Sequence, residues 1–188
     1  MRTFFRRLVG AAVLDAETYE EVEADRSATP QALTVVVLSS LAAGIGARGL
    51  SSGSATLTFF AGASVIALMA WATWALVMFE IGARILPTAE TRVDVGELLR
   101  TLGFAATPGL IQVFGALPGA TAPMFGLAIV WTLAASVVAV RQALDFTSTA
   151  RALAVCVLGW GISLTVAAVL GLVFGPTLSG LGLSLAGH

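Results

Sequence analysis

The residues best equipped for chemistry in this chain are its paired charges. Glu80 and Arg84 stand four positions apart, Glu97 and Arg100 three, and Arg141 and Asp145 four. Spacings of three or four place both members on one helix face, where opposite charges attract. Such pairs do electrostatic work: they anchor a helix end or pair locally. Arg100 and Arg141 could instead lock a bundle by meeting acidic partners on other helices. A charge at the bilayer centre costs about 2.5–3.5 kcal/mol on insertion scales and less near a helix end. Locally paired topology anchors are therefore the expectation. Reactive groups are scarce. The sole histidine is His188, and the sole cysteine, Cys156, lies inside an apolar run. A zinc site needs several converging ligands, and one thiol makes neither an internal disulfide nor a metal cage. No catalysis, cofactor or metal is expected.

The elements that must hold these pairs are apolar. The 188-residue chain is 57 % hydrophobic and 11 % charged, where a soluble domain carries about 25 % charge. Charge-free stretches run from Arg26 to Arg48, Arg48 to Glu80, Arg100 to Arg141 and Arg151 to His188. The third is roughly twice the ~20 residues that a helix needs to cross a bilayer, so it holds two crossings. The expected fold is all-α: a polytopic integral membrane protein with five transmembrane helices and a short interfacial N-terminal helix. A net charge of −1 argues against nucleic acid as a partner, since a nucleic-acid binder needs a basic face. Membrane lipid is the first partner. Every basic residue is arginine, which with the alanine and glycine load fits a GC-rich bacterial genome.

Three divisions follow: a cytoplasmic amphipathic and acidic segment over 1–29, a membrane domain over 30–176 and a short tail over 177–188. Residues 1–14 combine Phe4, Phe5, Leu8 and Val9 with Arg2, Arg6 and Arg7, the make-up of a helix lying among headgroups. The apolar part after Arg7 is about seven residues long and interrupted by Gly10, which argues against a cleaved leader. The acids from Asp15 to Asp25 read as a solvated face, with Thr18 and Glu21 at capping-box spacing. Span one starts with Thr29 as cap and Pro30 at the first helical position. Span two runs from Thr56 to Phe79. Val95, Leu98, Leu99 and Leu102 recur at helical spacing in an approach helix. It leads into span three, Thr101 to Leu117, where Pro108-Gly109 predicts a kink or break. Span four covers Met124 to Leu144 and span five Arg151 to Phe174.

Small residues repeat every four positions at Ala135 and Ala139 and at Ala167, Gly171 and Gly175. In lipid, such ladders let backbones approach closely. Packing within one chain is expected, with a dimer seam as the alternative. Arg2, Arg6, Arg7 and Arg26, then Arg84, Arg92 and Arg100, then Arg141 and Arg151 fall on one side of a five-span chain, and only Arg48 on the other. Cytoplasmic loops carry the excess of arginine, which places the N-terminus in the cytoplasm and the C-terminus outside.

Three segments carry a family likeness: LDAETYEEVEADRSATPQAL at 14–33, LLRTLGFAATPGLIQV at 98–113 and VWTLAASVVAVRQALDFTSTARAL at 130–153. With five spans and a cytoplasmic N-terminus, the chain resembles bacterial members of the Yip1 family over most of its length. The resemblance implies a small helical protein of the cytoplasmic membrane that acts as a scaffold or adaptor. Its partners would be copies of itself or other membrane proteins. The competing expectation is a small-solute permease or channel working at the Pro108 break, as discontinuous helices do in transporters.

Overall fold

The computed structural model describes residues 2–48, 54–86, 94–163 and 165, and no strand occurs among them. In chain order the helices are α1 (Arg2–Ala12), α2 (Ala16–Ala24), α3 (Thr29–Arg48), α4 (Ser54–Phe79), α5 (Val95–Ala105) and α6 (Thr121–Ala143). A last apolar helix, α7, covers Thr149–Ser163. A 3-10 turn at Arg26–Ala28 leads into α3, α4 runs on as a π turn over Glu80–Ile85, and a 3-10 segment covers Thr107–Ala116. Among the described residues, three stretches are long and apolar enough to cross a membrane: Arg26–Ala47, Ser64–Ile85 and Thr121–Ala143.

The helix starts follow local chemistry, though not always the expected residue. Asp15, rather than Thr18, caps α2: its carboxylate accepts from the Thr18 backbone N at 3.2 Å and from Thr18 Oγ1 at 2.6 Å. Asp25 likewise accepts from Ser27 N at 2.9 Å and opens the turn that runs into α3. Thr29 is thus already inside a helical path instead of capping it. Its hydroxyl turns back to the Arg26 carbonyl at 3.2 Å. The expected approach helix and the first turns of span three are one helix, α5, opened by a capping box between Asp94 and Glu97.

α5 stops at Ala105, just before Pro108, and the chain tightens into the 3-10 segment. Proline has no N–H to give the carbonyl four residues back. That carbonyl, on Phe104, accepts instead from Thr107 Oγ1 at 2.6 Å. Ser39 of α3 donates at 2.7 Å to the Ala106 carbonyl, which also accepts from Gly109 N at 2.9 Å. A break in apolar surroundings persists only when its freed backbone groups find such partners.

The 3-10 segment lies between α3 and α6. Glycines set how closely they pack. A Cβ at Gly46 would collide with the Gln112 carbonyl, one at Gly103 would meet the Ala32 Cβ at 2.6 Å, and one at Gly159 would strike Met78. These contacts tie α3 to the 3-10 segment, α3 to α5, and α4 to α7. Ala135 and Ala139 of α6 are fully buried in the core, which uses that ladder inside the chain. Gly171 and Gly175, with Ala167, lie outside the described residues.

Candidate functional site at the charged end of the bundle

α1 and α2 form a hairpin turned by Leu14, which adopts a left-handed φ of 64°. Arg7 stands on the inner face of α1, with its side chain only 5 % exposed. It donates to Glu21 at 3.0 Å, to Asp25 at 2.7 Å and to Gln31, at the start of α3, at 3.2 Å. Arg6, outside, adds a bond to Glu21 at 2.7 Å. Within the acidic run, Glu21 and Asp25 are therefore ties between elements, while Glu17 and Glu20 stay on an exposed face.

Arg100 and Glu97 are not an ion pair. The Glu97 carboxylate accepts from the Asp94 backbone N at 2.7 Å. Arg100 is buried and reaches across to α2, where its guanidinium donates to the carbonyls of Val22 and Glu23. These are among the last carbonyls of α2, which lack partners within their own helix. A cation there also meets the negative end of the helix dipole. Arg100 is thus a cap supplied from another element.

Arg141 and Asp145 are also not an ion pair, because α6 ends between them. Asp145 has a left-handed φ of 51°, and Arg141 Nε donates to the Phe146 carbonyl at 3.3 Å. The neighbouring Gln142 donates to Glu20 of α2 at 2.6 Å. Glu80 and Arg84 do pair, at 3.0 Å, but half or more of each side chain is exposed. The adjoining Gly82 packs against Leu144.

These contacts gather chain-distant charges at one end of the bundle. Between α2 and the end of α6 lies an open cleft of about 530 Å³, walled by Glu20, Glu23, Arg141, Gln142, Asp145 and Phe146. Burial pushes the Glu23 carboxyl up to about 7, with help from the negative charges of Glu97 and Asp145 and against Arg100. The Ser27 and Arg7 hydrogen bonds hold Asp25 down at about 2. The cleft offers carboxylates and one guanidinium to a polar partner. Among the described residues, no three His, Cys, Asp or Glu side chains are grouped to hold a metal ion.

Two glycine patterns at the end of α3 are easily passed over. Gly44-Ile45-Gly46-Ala47-Arg48-Gly49 has the spacing of a dinucleotide fingerprint and Gly49-Leu50-Ser51-Ser52-Gly53 that of a nucleophile elbow. Both motifs work only after a β-strand. Here residues 44–48 are the end of a helix, so neither pattern has its working context; residues 49–53 lie outside the described residues.

Pro108 is buried, away from the charged cleft, with Gly109 in ordinary contact with Ser39. Arg7 was missed in the sequence, and Arg100 does reach another helix, as the alternative had it, but meets backbone carbonyls there rather than an acidic side chain. Helical phase was the available signal for Arg7, since it falls opposite the ridge of Phe5, Val9 and Val13. Protein-family models, curated proteins and solved structures were compared with the chain, and none matches it.

Proposed function

We propose that this chain is a Yip1-like scaffold of the bacterial cytoplasmic membrane, working through association with itself or with other membrane proteins and without catalysis. The carrying observation is the packing at the Pro108 break. A permease built on a broken helix needs a polar cavity there. Here glycines bring α3 against the 3-10 segment, the carbonyl freed by Pro108 accepts from Thr107, and Ser39 adds a further tie from α3 to the Ala106 carbonyl. The cleft at the charged end is walled by none of the residues around Pro108.

In this reading the five spans are α3, α4, α5 with its 3-10 continuation, α6 and α7. The third is the unusual one. At ~1.5 Å per α-helical and ~2.0 Å per 3-10 residue, α5 and the 3-10 segment together extend roughly 36 Å, against a hydrocarbon core of ~30 Å. The gathered charges then form the cytoplasmic face. Outer loops are short, so a partner meets this face or the membrane-embedded sides.

The test is crosslinking and affinity purification from native membranes, with oligomer size read from the same sample. A defined homo-oligomer or a stable membrane-protein partner is expected. A monomer without a partner that passes small solutes across liposomes would replace the scaffold reading with a permease.

A further inference from the structure

We infer that α1 is a wedge held obliquely in the cytoplasmic leaflet, its outer ridge against lipid acyl chains and its N-terminal arginine among anionic headgroups. The inference rests on the membrane reading above and adds a lipid contact to it.

The ridge is formed by Phe5 and Val9 of α1 and by Val13, one residue past its end, whose N–H still bonds the Val9 carbonyl at 3.0 Å; they are exposed by 62, 64 and 67 %. Residues four apart in a helix line one face, and three large apolar groups in a row are costly to leave in water, at about 25 cal/mol per Å² of apolar surface. The inner face of α1 is already used. Phe4 stacks edge-on to Phe104 at 6.4 Å, Arg7 is tied to three partners, and Ala11 is fully buried. The ridge is therefore what α1 presents outward.

The depth of α1 follows from its ties to α6. Glu20 of the hairpin bonds Gln142 near the charged end of α6, while the α1 C-terminus accepts from Trp131 Nε1 at 2.7 Å through the Ala12 carbonyl. Trp131 precedes Gln142 by eleven residues, roughly 16 Å along a helix at ~1.5 Å per residue. That is about half the ~30 Å hydrocarbon core. The hairpin turn thus lies far down a candidate span, beside the exposed Val130, which is 67 % accessible.

The basic charge of α1 follows the same gradient. Arg2 precedes Phe5 by three positions and is exposed, and Arg6 pairs with Glu21 at 2.7 Å. Both lie at the shallow end of α1, whereas Val9 and Val13 lie toward the turn. The exposed acids Glu17 and Glu20 belong to α2, so the lipid contact is one-sided. A basic, amphipathic helix binds through its buried apolar area plus attraction to anionic lipid.

The test places single spin labels at Phe5→Cys, Val9→Cys and Val13→Cys in full-length Cys156→Ala protein. The protein is reconstituted in vesicles of phosphatidylcholine and phosphatidylglycerol at three to one. Accessibility to oxygen, which partitions into acyl chains, is compared with that to a water-soluble nickel chelate. Ile66→Cys on α4 and Val130→Cys report the candidate spans, and Ser148→Cys reports water. The expected oxygen-to-nickel ratio is several-fold higher at Val9 and Val13 than at Ser148, with Phe5 between. Ratios at all three ridge sites equal to that at Ser148, with Ile66 and Val130 lipid-accessible, would overturn the wedge and leave the membrane reading standing. Water-like ratios at Ile66 and Val130 as well would overturn both. Spin–spin broadening at the ridge that disappears on dilution with unlabelled protein would assign the ridge to a second copy and overturn the lipid contact.

Discussion

Arg7 shows how one side chain can decide the position of a helix. Its guanidinium joins α1, α2 and the start of α3 through Glu21, Asp25 and Gln31. Arg7→Ala leaves Asp25 without its cation and Glu21 with only the exposed Arg6. Breaking a buried pair costs about 3–5 kcal/mol; both carboxylates are a third exposed, which lowers the expected loss to about 2 kcal/mol. Arg6→Ala, at an exposed site, is expected to cost under about 1 kcal/mol. Thermal unfolding in detergent distinguishes the two, and equal losses would remove the tie assigned to Arg7.

Glu23 gives the charged end a pH dependence. Its folded carboxyl is raised from 4.5 to about 7, so the folded state holds a proton that the unfolded state releases. The stability contributed is full below about pH 4.5 and is lost as pH rises through about 7. Asp25 acts in the opposite sense: it is lowered from 3.8 to about 2, so its contribution is present above 3.8 and is lost as pH falls through about 2. Between pH 5 and 8 only Glu23 of these two changes. Melting temperature should fall across that range in the native protein, and Glu23→Gln should flatten the fall. An unchanged slope in Glu23→Gln would show that another group carries it.

Residue spacing made the Glu80–Arg84 pair legible, because both members lie within one continuous helical stretch. The same spacing misled at Glu97–Arg100 and Arg141–Asp145. In the first, a capping box claimed the glutamate and orphaned carbonyls of α2 claimed the arginine. In the second, a left-handed residue ended the helix between the partners. Sequence spacing describes a helix face; it does not describe competition from another element's unpaired carbonyls.

At the scale of elements, the glycines fix the spacing of the bundle. Gly103→Ala would press its Cβ onto Ala32, whose backbone atoms stand at 3.2 and 3.3 Å. α3 and α5 must then separate, at about 1–3 kcal/mol. Gly126, inside α6, has nothing within 4 Å of an added Cβ, so Gly126→Ala should stabilise by about 0.5–1 kcal/mol. Melting curves of both variants check the signs. Destabilisation by Gly126→Ala would indicate a contact on that face outside the described residues.

The apolar runs and Pro108 foretold where helices lie and where one breaks. Their caps were less legible, since aspartates at positions 15 and 25 took the roles assigned to threonines. An aspartate can accept from both a backbone N–H and a hydroxyl, as Asp15 and Asp25 each do, which outcompetes the weaker cap. The close approach at Gly46 and Gly159 was not legible, because a glycine's partner across the bundle leaves no mark in local spacing.

At the scale of the molecule, three long apolar helices and a shorter fourth meet a set of charges gathered at one end. In the proposed reading this end is the cytoplasmic face of an odd-numbered bundle. An odd number of crossings puts the chain's two ends on opposite sides, and an even number puts them on the same side. Paired reporter fusions distinguish these directly, using fluorescent protein, which matures in the cytoplasm, and alkaline phosphatase, which is active outside. A five-span count is then fixed by fusions at residues 49–53, 87–93, 117–120 and 144–148. The account predicts cytoplasmic signal at the N-terminus, at 87–93 and at 144–148, and outside signal at 49–53, 117–120 and after residue 188. Cytoplasmic signal from both ends, or from 117–120, would contradict it.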